Sequence, residues 1–325
     1  MNNGADQGTK WFLVVNPISG SGKGLDDFPL ISKLLRDNGI SCEAVFTEHK
    51  HHATELTVSA ITSGYRHIMV AGGDGTLHEV INGLFIQKCV DTSEVTIAVI
   101  PVGTGNDWIR MYGLPTRYSA VIRAIKEGYT FLQDVAAVEY EESRYRQTRY
   151  MANVAGVGFD AAVIKRGQMM NGNDKKKKGT GFYIRALINT FFRYKPTGVK
   201  IWVNDRLLYN NLLFSLAMGV GKYNGGGIQQ LPQSVADDGL LDITLIKPLH
   251  WWHVIFRLRR LFNGEIYSIG HVQHLQGSKI RIESSPEIDL EIDGELHGGT
   301  PVELRVLHRA VKVIVNKSFI DKLKA

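Results

Sequence analysis

Residues 67–79 read HIMVAGGDGTLHE, an apolar and partly β-branched run that stops on Gly72-Gly73-Asp74-Gly75-Thr76 and resumes as a polar, helix-compatible sequence. The pattern predicts a buried strand, a tight loop and a helix N-terminus. Three glycines around one aspartate allow positive φ and expose successive N–H groups, so the expected geometry is an anion-binding nest at a helix start, with phosphate as its guest. The Asp74 carboxylate repels a phosphate chain unless a metal ion intervenes or the carboxylate faces an incoming hydroxyl. Either arrangement belongs to phosphoryl transfer. An isolated Asp-Gly pair is usually only a turn, so the reading depends on what the rest of the chain supplies.

The same texture recurs on both sides. Upstream, residues 11–15 predict a first buried strand running into Asn16-Pro17-Ile18-Ser19-Gly20-Ser21-Gly22-Lys23-Gly24. This glycine-rich loop is neither common nucleotide fingerprint: Pro17 stands where a P-loop has its first glycine, Gly24 follows Lys23 in place of Ser or Thr, and Leu25 replaces the third glycine of the dinucleotide pattern. Residues 29–38 and 53–61 have helical spacing, and 40–47 alternates as a second strand. Between them His49-Lys50-His51-His52 lacks a nearby carboxylate or thiolate and reads as a polar loop. Downstream, 95–100 predicts a fourth strand that ends in Pro101-Val102-Gly103-Thr104-Gly105-Asn106-Asp107-Trp108. The β-α-β-α-β order with buried strands implies a doubly wound parallel layer, in which three glycine-rich loops at strand C-termini would meet at one crevice.

From Phe131 the texture changes. Alternating segments at 135–139, 150–156, 199–203, 207–217, 240–246 and 279–284, separated by turn signals, predict an antiparallel β-sandwich or barrel. A helical pattern at 181–194, preceded by KKKK at 175–178, interrupts them. Glu287, Asp289, Glu291 and Asp293 alternate with Ile288, Leu290 and Ile292, the pattern of a strand with a solvated acidic face. That run ends in Asp293-Gly294-Glu295, a turn from which a carboxylate is easily aimed into a cleft. Asp237-Asp238-Gly239-Leu240-Leu241-Asp242 suits either a hard-cation site or a simple turn into a strand.

Composition bounds the class. The chain has 325 residues, 44% of them hydrophobic, enough for a sizeable core and two domains. No apolar run reaches membrane-spanning length, and MNNGADQGTK lacks the form of a signal peptide, so a cytoplasmic protein is expected. Cys42 and Cys89 lack metal-ligand spacing and are expected to be reduced. A net charge of +6 suits anionic partners.

Taken in order, Asn16-Pro17-x-Ser19-Gly20, Thr47 with His52-Ala53, the Gly72 to Thr76 loop with Glu79, Gly103-Thr104-Gly105-Asn106-Asp107, Asp238-Gly239-Leu240-Leu241-Asp242 and Asp293-Gly294-Glu295 cover almost the whole chain. This ordered set resembles the diacylglycerol kinase catalytic family, the soluble lipid kinases that include bacterial diacylglycerol kinases and sphingosine kinases. The resemblance implies an α/β nucleotide-binding domain over residues 1–134, doubly wound and NAD kinase/phosphofructokinase-like. It also implies a C-terminal antiparallel β-sandwich, lipid-binding, over 135–305, with 306–325 packing back onto the first domain. The implied activity is an ATP- and Mg²⁺-dependent lipid kinase that converts a diacylglycerol-like lipid to a phosphatidic-acid-type product. The alternatives are a sphingoid-base kinase or an NAD kinase, which shares the GGDGT motif.

Carried over position by position, the resemblance assigns ATP binding to Asn16, Thr47, Gly72, Gly73, Asp74, Gly75, Thr76, Glu79, Thr104 and Asn106. Asp74 and Asp107 would organise Mg²⁺ and the transferring phosphoryl group. Glu295 would accept the proton of the lipid hydroxyl, with Asp74 as the other candidate base. A structural Mg²⁺ would fall on Asp238 with backbone oxygens of Val235 and Leu240. The substrate would be a lipid alcohol at a membrane surface, and KKKK at 175–178 and WWHVIFRLRR at 251–260 mix basic and aromatic residues as interfacial segments do. Peripheral membrane association, a homodimer as a compatible assembly and no nucleic-acid partner complete the expectation.

Overall fold

In the computed structural model, which describes residues 10–103, 105–171, 189–249, 260 and 262–324, Met1–Leu132 with Ala310–Ala325 forms one unit and Gln133–Arg309 a second. The first unit begins with β1 (Trp11–Val15), buried at all positions because WFLVV carries apolar side chains on both faces. There follow α1 (Lys23–Asp26), α2 (Phe28–Asp37), β2 (Cys42–Phe46), α3 (His52–Thr62) and β3 (His67–Gly72). Then come α4 (Asp74–Ile86), β4 (Thr96–Pro101), α5 (Asp107–Met111) and α6 (Tyr118–Glu127). The strands run parallel in the order β2-β1-β3-β4, so the layer is doubly wound as the sequence predicts. Register sets the ends level: Val15 lies opposite Ala71, and Gly72 opposite Pro101. The loops that leave β1, β3 and β4 therefore start side by side.

The second unit holds β5 (Thr130–Glu142), which starts in the first, then β6 (Tyr145–Met151), β7 (Val154–Gly158) and α7 (Phe159–Asn171). It continues with β8 (Thr197–Val203), β9 (Arg206–Leu213), β10 (Ser215–Gly219), β11 (Leu241–Ile246) and β12 (Val272–Gly277). Its last strands are β13 (Lys279–Ser285), β14 (Asp289–Ile292) and β15 (Glu295–Ile314). One antiparallel run is β12-β11-β10-β7-β14-β15, and β9-β8-β13 joins β15 as a second. Ile201, Ile280 and Ile282 of the second run meet Met218, Ile243 and Leu290 of the first in one buried cluster, the core of a β-sandwich. The end of β15 belongs to the first unit, where Lys312 and Val313 pair parallel with Thr96 and Ile97. There α8 (Lys317–Lys324) follows, and Phe319 packs edge-on against Tyr112 and Phe131.

Three expectations change. The strand expected over 150–156 breaks at Ala152-Asn153, because the N–H groups of Ala152, Asn153 and Val154 all go to the Asp293 carboxylate. The one expected over 207–217 breaks at Phe214, whose N–H bonds Ile246 while its carbonyl accepts from Phe159. The acids of 287–293 are only partly a solvated face: Glu287 is exposed and Asp289 half-exposed with Lys165 at 2.8 Å, but Glu291 is fully buried. Among the described residues, no helix is long and apolar enough to cross a membrane.

Candidate active site

The three glycine-rich loops of the first unit touch. Asn16 Nδ2 donates to Thr76 Oγ1 at 2.8 Å, tying the β1 loop to the first turn of α4. A Cβ on Gly20, whose φ is +60°, would stand 2.2 Å from the carbonyl oxygen of Val102. A Cβ on Gly103 would lie 3.0 Å from the Cα of Gly73. The glycines at 72, 73 and 75 are absent from the positive-φ set, so the expected nest does not form. Their use is proximity: Gly73 is extended, and a side chain at Gly72 would strike Thr76 Oγ1 at 2.7 Å. What remains of the phosphate argument is the N-terminus of α4, whose first amides have no intrahelical acceptor.

Asp74 stands at that N-terminus, half-buried. Its Oδ2 accepts the Asp107 N–H at 3.0 Å and its Oδ1 the Trp108 N–H at 3.3 Å, so one carboxylate caps α5 while opening α4. Asp107 is buried and lies 3.5 Å from Arg110 Nε, and Asn106, at φ +49°, donates to the Gly103 carbonyl. Asp74, Asp107 and Asn106 are thus brought together with Gly72, Gly73, Gly75 and Thr76. Thr104 lies outside the described residues, as do 175–178 and 251–259.

Glu79 and Thr47 mark the neighbouring loop. Thr47 bonds through its N–H to Val15 at 2.8 Å, next to β1. Both Glu79 oxygens accept backbone N–H groups, from His51 at 3.0 Å and Ala53 at 3.1 Å, which caps α3. Helical periodicity places Glu55 beside His49 and His52, a carboxylate that proximity in sequence did not suggest. The His49 Nδ1 donates to the Lys50 carbonyl, while the His52 Nδ1 accepts from the Glu48 N–H. The two rings stack in parallel at 4.5 Å, and parallel rings do not converge their lone pairs on one ion.

In the second unit, Asp238 gives Oδ1 to the Leu240 N–H at 2.9 Å, and the side chain of Val235 is exposed. One carboxylate oxygen with backbone carbonyls is the chemistry of a hard-cation site. The adjoining Gly239 N–H goes to the Asp134 Oδ2 at 2.7 Å, a contact the sequence reading missed. Asp134 is fully buried and its Oδ1 also accepts from Arg309 N–H and His308 Nδ1; burial pushes its pKa up, opposed by these donors. Its signal was a lone aspartate inside the apolar run of β5.

Glu295 opens β15 opposite Ile292. Asp293 at φ +50° and Gly294 at φ +87° make the two-residue turn before it, of the type that suits a twisted hairpin. Asp293 itself is a clamp, holding the three N–H groups at 152–154. Glu295 and Asp238 belong to a different unit from Asp74.

Comparison with known proteins gives consistent matches. Residues 10–138 match the family model of the diacylglycerol kinase catalytic domain, and residues 153–315 that of the YegS C-terminal NAD kinase beta sandwich-like domain. A Mycobacterium tuberculosis diacylglycerol kinase is 25% identical over 302 residues, 93% of either chain. The crystal structure of a Bacillus anthracis diacylglycerol kinase superposes with a TM-score of 0.69 at 22% identity, over 97% of this chain and 100% of that one. An Archaeoglobus fulgidus NAD kinase solved in complex with ATP gives 0.51 at 12% identity, with 97% of each chain covered. The two structures share the fold.

Proposed function

We propose, because this chain belongs to the diacylglycerol kinase catalytic family and is a lipid kinase, that it transfers the γ-phosphoryl group of ATP to the hydroxyl of a diacylglycerol-like lipid. The product is a phosphatidic-acid-type lipid. The observation that carries this reading is the single carboxylate of Asp74, which joins two glycine loops by accepting the N–H groups of Asp107 and Trp108. The glycines of these loops leave no side chain in the way of a phosphate chain, and the loops carry the acids a phosphoryl transfer needs.

The residues fit Mg²⁺-ATP. Asp74 and Asp107 offer hard oxygens, and Asn16, Thr47, Gly72, Gly73, Gly75, Thr76 and Asn106 would bind ATP, a role the resemblance also gives Thr104, with Glu79 holding the loop at His51. Mg²⁺, when bound, supplies charge neutralisation on the phosphates. Glu295 takes the proton of the lipid hydroxyl as the oxygen–phosphorus bond forms and the bond to the β–γ bridging oxygen breaks, releasing ADP. The second unit holds the lipid, and Asp238 with the carbonyls of Val235 and Leu240 holds a structural cation. The protein acts in the cytoplasm as a peripheral membrane protein, with 175–178 and 251–260 at the lipid surface.

The test is transfer of labelled γ-phosphate to detergent-dispersed diacylglycerol, monoacylglycerol, ceramide and sphingoid bases, with NAD as a soluble control. Labelled diacylglycerol that disappears with a chelator is the expected result. Label on a sphingoid base alone reassigns the substrate, and label on NAD alone removes the lipid from the reaction.

A further inference from the structure

Glu291 stands on β14 between Leu290 and Ile292 and is as deeply buried as they are. Its Oε2 accepts the Gly294 N–H at 3.0 Å and its Oε1 the Asn224 Nδ2 at 3.3 Å. Asn224 Nδ2 also donates to Gln230 Oε1 at 3.1 Å, and Gln230 Nε2 to Asp160 Oδ2 at 3.1 Å. Two carboxylates are thus linked through two amides, from the first turn of α7 to the turn before Glu295. Gly156 of β7 lies between them: a Cβ there would meet Glu291 Oε1 at 2.9 Å and Asp160 Cβ at 3.1 Å. Only glycine leaves room for the pair.

We infer that Glu291 is a positioning residue for the proposed lipid-kinase reaction, holding the Gly294 amide and so fixing the carboxylate of Glu295, one residue on, with Asp160 as its partner. The role rests on the reading of Glu295 as the base. Asp293 anchors the turn to residues 152–154, and Glu291 anchors it to β14 itself.

The pair also has a charge state. Burial and the neighbouring Asp160 hold Glu291 well above the usual carboxylate range, and burial lifts Asp160 to about 6. The charged and titratable groups facing them are Asp293 beside Glu291 and, toward Asp160, Tyr194; Asn224, Gln230 and Ser215 are the polar neighbours. Glu291 is therefore held toward the neutral acid, and its ionisation would set two like charges, Glu291 and Asp160, against each other.

The experiment compares wild type, Glu291→Leu and Glu291→Gln by kcat and KM, with deuterium exchange read at the Gly294 amide. Leucine removes the acceptor, and kcat should fall about 10- to 100-fold with KM for ATP unchanged, while Gly294 exchanges faster. Glutamine keeps a neutral acceptor, so kcat should return to within about threefold and Gly294 exchange should return toward the wild-type rate. A folded leucine variant with wild-type kcat and Gly294 exchange overturns the inference, as does a glutamine variant as impaired as leucine. A wild-type protein that phosphorylates no lipid overturns the functional reading and this role together, whereas an active wild type with an unaffected leucine variant overturns this role alone.

Discussion

In the first unit, backbone meets backbone: Gly103 approaches Gly73 so closely that a Cβ would lie 3.0 Å from the neighbouring Cα, and Gly20 abuts the Val102 carbonyl. In the second unit, carboxylates do the joining, with Asp293 holding three backbone N–H groups, Asp134 two and Glu291 one. A glycine contact has no substitute, because any side chain occupies the space the other loop needs. A carboxylate contact has partial substitutes, since an amide can accept some of the same bonds. Asp74 shares both designs, being a carboxylate that binds backbone inside the glycine loops.

That difference sets the order of expected effects. Asp74→Ala should lower kcat by about 10³-fold or more and also lower the melting temperature, because two N–H groups lose their acceptor. Glu295→Gln should lower kcat by about 10²- to 10⁴-fold with thermal unfolding little changed. A near-normal rate in either variant removes that acid from the mechanism. Asp293→Ala should destabilise the protein by about 3 kcal/mol, read from urea unfolding, and Asp293→Asn by clearly less. Equal losses would mean that charge, not hydrogen bonding, matters there.

Gly103→Ala tests the glycine side of the comparison. It should raise KM for ATP by about tenfold with modest loss of stability; an unchanged KM would mean the loops part without cost. Glu79→Ala should cost about 1 kcal/mol, the usual scale of a lost helix cap.

The smallest effect is one of pH. Asp160 titrates at about 6 when folded and at 3.8 as the ordinary value, so within that window the native state binds more protons than the unfolded one. Stability should therefore fall as pH rises through the window and stay lower above it. Asp160→Asn should flatten that slope in melting curves; an unaltered slope would place the titration elsewhere.

Much of the first unit was legible. Buried runs such as WFLVV and HIMVAG, each ending on a glycine-rich loop, specify a parallel layer with its loops at one end, because a strand apolar on both faces must be covered on both. The glycines were legible as a cluster, but their cause was not: Gly20 takes a positive φ, whereas Gly72 and Gly103 have ordinary φ and are required by crowding, against Thr76 and against Gly73 of the neighbouring loop. Glu79 is a comparable case, since its spacing from Asp74 is clear in the sequence while its two bonds go to another helix.

The sequence by itself determined the local elements, the two textures that meet near residue 131 and the ordered motifs that identify the family. Those depend on periodicity and on neighbours a few residues apart. Only the tertiary structure decided which carboxylate serves which amide. Asp293 reaches Ala152 across 141 residues of chain, and Glu291, which the alternation places on an acidic face, is buried where Gly156, Asp160 and Asn224 pack against it. Burial is a property of what packs against a strand, and a one-strand pattern carries no record of it.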